Sequence, residues 1–139
     1  MALTAAWLKD SAHRKWKDRQ FYLKLSTGRT EAALIANELP ILSGYAPVSF
    51  TITTDGQLEA AAPPLPIRWV MPLQTFAFTA AGQSLQYESA FIMAGFETVA
   101  AGGFLADYVV FDSTQTILDG QSSTITLQWA EFDGAPYVA

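Results

Sequence analysis

Period-two alternation is the feature that most limits what this chain can become. Seven or eight short runs alternate apolar and polar residues, and turn residues close them at near-regular spacing. Successive side chains of a strand point to opposite faces, so such runs bury one face and wet the other. The clearest is Phe21-Tyr22-Leu23-Lys24-Leu25-Ser26, with Phe21, Leu23 and Leu25 on one side and Tyr22, Lys24 and Ser26 on the other. Further strands are predicted over 45–53, 67–71, 75–79, 85–93, 105–111, 116–118 and 123–129. Thr27-Gly28, Asp55-Gly56, Ala81-Gly82, Asp112-Ser113 and Asp119-Gly120 supply the turns. The expected class is mainly β: an antiparallel β-sandwich or jelly-roll-like barrel of seven to eight strands.

Two helical segments interrupt the alternation. Over 3–18, Ala5, Leu8, Ala12 and Trp16 recur at spacings of three and four, with Trp7 beside them. Lys9, His13 and Lys17 form a separate basic line. A helix this short needs something to pack on. A second short helix is expected near 31–37, started at Thr30 and stopped by Pro40. Pro47 marks an edge position or the start of a strand. Phe91-Ile92-Met93 is apolar on both faces and reads as central in a sheet. The run 58–66, LEAAAPPLP, is too rich in Ala and Pro for a regular strand and reads as a stiff apolar loop. It either packs over its own domain or docks on a partner through Pro63, Pro64 and Leu65. The organisation expected is a basic helical arm over 1–20, a β-sandwich over 21–132 and a tail over 133–139.

Charge follows that division. Seven of the eight Lys and Arg residues precede Thr30 and meet only Asp10 and Asp18, for a local charge of +5. From Thr30 onward Arg68 stands against eleven acids, for −10. A basic arm on an acidic body is a statement about association. The arm lies on its own body or reaches an acidic neighbour, including a second copy of the chain. Trp7, Arg14, Lys15, Trp16, Lys17 and Arg19 are its candidate contact residues, since Trp and Arg anchors dominate protein interfaces. The acidic body disfavours nucleic acid. No apolar run approaches the roughly 20 residues that cross a bilayer, and the start lacks the pattern of a signal peptide, so no membrane partner is expected. Half of the residues are hydrophobic and only 15% are charged, which favours a homo-oligomer or a docked subunit.

The sequence contains no phosphate-binding glycine loop, no G-x-S-x-G and no H-E-x-x-H. It has no cysteine, and His13 is its single histidine. Glu88 with Glu97, or Asp107 with Asp112, could pair only through folding, and turn or loop positions account for them more simply. No catalytic, cofactor or metal site is expected, and the chain reads as a non-enzyme.

Five motifs together resemble the small β-rich virion proteins of tailed bacteriophages. They are FYLKLST at 21–27, GYAPVSF at 44–50, TTDGQL at 53–58, ESAFIMAGF at 88–96 and ILDGQSSTITLQW at 117–129. Pro47 stands where that group often has Arg, and the arm lies outside the match. The resemblance implies a virion structural protein. The leading expectation is a capsid cement (decoration) subunit that oligomerises and clamps the major capsid protein. A tail, baseplate or fibre-attachment component is the alternative within the virion. From another class, a carbohydrate- or host-surface-binding module would use exposed aromatics such as Tyr22, Trp69 or Tyr87. Removing the arm is expected to leave a soluble folded body that no longer attaches.

Overall fold

The computed structural model describes residues 3–41, 44–59 and 67–132. The elements in chain order are α1 (Ala5–Trp16), β1 (Phe21–Ser26), α2 (Glu31–Leu34), β2 (Val48–Phe50), β3 (Gln57–Glu59), β4 (Arg68–Val70), β5 (Gln74–Thr79), β6 (Leu85–Ala94), β7 (Phe104–Ile117), β8 (Ser122–Leu127) and β9 (Ala130–Phe132). The chain is mainly β, with several antiparallel sheets and one N-terminal helix, as a sandwich-like fold requires. The sheets run β2-β1-β6-β7, β3-β4-β9 and β5-β8, and none closes into a barrel among the described residues.

Two compact units divide the chain, and the division does not fall between an arm and a body. The first unit collects the chain up to Arg19, Thr51–Thr75 and the chain from Thr126; the second comprises Gln20–Phe50 and Phe76–Ile125.

In the second unit β1 lies between β2 and β6, and apart from half-buried Tyr22 its residues are all buried. Alternation had left Lys24 and Ser26 on a wet face. The segment after β1 covers that face instead. Leu39 N–H donates to the Leu25 carbonyl at 3.0 Å, and Thr27 N–H donates to the Asn37 carbonyl at 3.0 Å. Ser26 Oγ donates to the Leu34 carbonyl at 2.7 Å. Leu34 thereby packs with Phe91 and Met93, against which Tyr22 and Leu105 also lie. Each such side chain taken out of water is worth about 1.5–3 kcal/mol. α2 is a single turn, shorter than 31–37, and beyond it Asn37 donates both its backbone N–H, at 3.1 Å, and its side-chain amide, at 2.8 Å, to the Ala33 carbonyl. On the rest of this unit, Phe21 stacks on Phe50 at 5.3 Å between centroids, Phe50 meets Phe76 at 4.7 Å, and Tyr45 stacks on Phe78 at 6.1 Å.

β2 keeps only three residues of the expected 45–53 run, and Pro47 leads into it at the sheet edge. At the other edge, β7 joins the two runs 105–111 and 116–118 into one strand of 14 residues. Asp112-Ser113 does not turn the chain. Tyr87 pairs with Gln115 while Ser89 pairs with Val110, so residues 111–114 bulge outward and the strand continues along β6. Asp119-Gly120 does make the expected turn between β7 and β8, with Gly120 at φ 80°.

The first unit is built on α1 and the β3-β4-β9 sheet. Thr4 caps α1 by accepting the Trp7 N–H at 3.2 Å. Leu8 and Ala12, one turn apart, are fully buried. Trp16 stacks on Trp129 at 4.8 Å. The 58–66 loop begins later than expected, because Leu58 and Glu59 belong to β3; Pro63, Pro64 and Leu65, like the tail 133–139, lie outside the described residues. Gly56 leads into β3 at φ +75°, where a Cβ would fall within van der Waals overlap of the Val70 carbonyl oxygen, so only glycine fits.

Candidate partner-binding surface

The candidate contact residues of the arm are largely engaged within the first unit. Lys15 Nζ donates to Glu131 Oε1 at 2.8 Å, beside Ser11 Oγ, which donates to the same oxygen at 3.0 Å. Lys17 Nζ donates to the Asp55 carboxylate. That hydrogen bond raises the Lys17 pKa above the ordinary lysine range and lowers that of Asp55 below the ordinary carboxylate range. Trp16 is occupied by Trp129. What remains on the outer side of α1 is smaller: Trp7, 56% exposed, lies under the Arg14 guanidinium at 5.6 Å. Arg14 also pairs with Asp10 one turn earlier at 2.9 Å. Arg19 is exposed. The expected set therefore separates into a docked half and an outward Trp7–Arg14 pair.

The three aromatics that would serve a sugar are not open platforms. Tyr87 is buried, and burial pushes its phenol above the ordinary range. Tyr22 packs against Leu34, Phe91 and Met93. Trp69 donates its indole N–H to the Asp55 carbonyl at 2.8 Å, has the His13 ring edge-on at 6.0 Å and carries Lys9 over its face at 5.4 Å. His13 Nε2 lies 2.6 Å from the same Asp55 carbonyl. Asp55 thus ties α1 to the turn before β3 rather than standing free. It also lines a shallow depression of about 390 Å³ bordered by Gly56, Gln57, Met71, Leu73 and Gln128. Gln128 there donates to the Met71 carbonyl at 3.1 Å. Among the described residues no three metal-ligating side chains converge, and no helix is long and apolar enough to cross a membrane.

The surface that sequence reasoning missed is the loop 95–103 with the first half of β7. Phe96, Val99, Phe104, Tyr108 and Val109 are all exposed. They follow one another along one stretch of chain, with Tyr108 on the opposite face of the sheet from Phe104 and Val109. No lysine or arginine occurs between Arg68 and the end of the chain. The signal was present in Tyr108-Val109-Val110-Phe111, a run apolar on both faces. Such a run reads equally as a buried central strand, and only the sheet order exposes it: β7 is an edge. Comparison with family models, with curated proteins and with solved structures finds no match to this chain.

Proposed function

We propose that this protein is a structural subunit of a tailed-phage virion, a capsid cement subunit that associates with its own copies and with the major capsid protein. The observation that supports association is the number of large apolar side chains left exposed along 96–109: Phe96, Val99, Phe104, Tyr108 and Val109. The virion assignment rests on the resemblance carried by FYLKLST, GYAPVSF, TTDGQL, ESAFIMAGF and ILDGQSSTITLQW. The outward Trp7–Arg14 pair is the natural second contact, because Trp and Arg are the residues that most often anchor an interface. Many such modest contacts, repeated over a shell, add through multivalency. A tail or baseplate component is the second reading, favoured by the same surfaces at lower copy number.

Shells assembled without the chain, mixed with purified protein and sedimented, provide the test. The wild-type chain should travel with the shells, and Trp7→Ala with Arg14→Glu should cut the bound fraction at least about tenfold, a loss of an anchor pair. A folded wild-type chain that stays in the supernatant at micromolar concentration contradicts the cement reading.

A further inference from the structure

We propose that the depression beside Asp55 is a binding site for a neutral saccharide. The inference is independent of the virion reading, and it uses none of Tyr22, Trp69 or Tyr87 as a platform. The depression, about 390 Å³, has the size of a small-ligand site, and every residue that lines it belongs to the first unit. Its rim is held in place before any ligand arrives. The Asp55 carbonyl accepts the Trp69 indole N–H at 2.8 Å and lies 2.6 Å from His13 Nε2. Gln128 Nε2 is tied to the Met71 carbonyl at 3.1 Å. Gly56 follows Asp55 at φ +75°, where a side chain would meet the Val70 carbonyl oxygen. A rim fixed in advance loses little freedom on binding.

The lining selects the chemistry. Asp55 is its one charged residue, which disfavours an anion. Lys17 already holds that carboxylate, and Lys9 adds to the positive field around it, so a cation finds no net negative charge to meet. A planar heteroaromatic ring has no platform, because Trp69 is taken up by His13 and Lys9. What is left is a set of hydrogen-bonding groups rich in acceptors. Asp55 has a second carboxylate oxygen beyond the one on Lys17. Gln128 has its amide nitrogen on the Met71 carbonyl, which leaves its amide oxygen for a donor. The Thr54 hydroxyl and the Gln57 amide make no hydrogen bond among the described residues. An apolar ligand would cover these groups without pairing them. A sugar brings several hydroxyls, each of which both donates and accepts. Its C–H face has a wall to lie against in Pro72 and in Leu73, which is 60% exposed. With no aromatic face to add stacking, a millimolar dissociation constant is expected.

Amide NMR spectra of the full chain, titrated separately with glucose, galactose, mannose and N-acetylglucosamine to about 50 mM, test the site. At least one sugar should move the amides of Thr54–Gln57, Leu73 and Gln128 along a saturating curve. Gln57→Ala and Gln128→Ala should each weaken that sugar at least about threefold, and the pair at least about tenfold, with the rest of the spectrum unchanged. Gln57 is exposed on β3 and its side chain ties nothing down, so its replacement leaves the fold intact. Methylammonium chloride and sodium acetate, the charged probes, should leave these amides where they are. No saturating shift at these residues with any of the four sugars overturns the inference. So does sugar binding indifferent to both substitutions, or methylammonium binding of equal strength at the same residues.

Discussion

Lys24 shows how a single residue can depart from its pattern and still be stable. It is only 4% exposed, on a face that alternation assigns to water. Glu38 makes that possible. It accepts from Lys24 Nζ at 3.0 Å and from the Tyr45 hydroxyl at 3.1 Å, while the Tyr45 oxygen accepts the Leu25 N–H at 3.1 Å. Removing one partner of a buried pair strands the other, so Glu38→Gln should cost about 3 kcal/mol in denaturant unfolding. Adding Lys24→Met to Glu38→Gln should recover most of that loss, since no buried charge is then left without its partner. Burial holds the Tyr45 phenol well above the ordinary tyrosine range. Unfolded chains ionise that tyrosine near pH 10 and the folded chain does not, so stability falls as pH rises past that point. Spectrophotometric titration should find Tyr45 silent until the chain unfolds. Lys17 and Asp55 give the complementary signature. The depressed Asp55 contributes stability that is present above the ordinary carboxylate range and lost as pH falls through its own lower range. The raised Lys17 contributes stability that is present below the ordinary lysine range and lost as pH climbs beyond it. Melting temperature against pH should therefore lose its acid-side component in Asp55→Asn.

At the scale of elements, α1 was legible as a helix and illegible as to its neighbour. Ala5, Leu8, Ala12 and Trp16 announce an apolar face, but spacing alone does not name the surface that receives it. Here that surface is the β3-β4-β9 sheet, whose three short strands carried little pattern of their own. The consequence reverses one sequence expectation. Deleting residues 1–20 uncovers the sheet and removes fully buried Leu8 and Ala12, so the shortened chain should lose cooperative unfolding of the first unit. Leu8→Ala should cost about 2–5 kcal/mol in the same measurement. β7 failed to read as one strand for a different reason. Asp112-Ser113 has turn chemistry, but the paired length of β6 favours continuing the ladder, and a bulge absorbs the extra residues. The β1 run and the Asp119-Gly120 turn were read correctly because each is decided within a few residues.

For the whole molecule, the class was legible and the working surface was not. Alternation and turn chemistry are local, and they suffice for a mainly β chain with antiparallel sheets. Which strand becomes an edge depends on sheet order, so the 105–111 run could not be assigned to an edge before β7 took the outside position. The charge division between the two ends of the sequence left open whether the arm lies on its own body or reaches a neighbour, and Lys15 and Lys17 meet Glu131 and Asp55 of the same unit. The function we propose is that of a subunit that works through protein contact, in many copies. The number of chains in one purified phage particle, measured by quantitative mass spectrometry against the major capsid protein, tests that most directly. Hundreds of copies per particle, in fixed ratio to the capsid protein, are expected; a few dozen would move the chain to the tail, and its absence from particles would contradict the account.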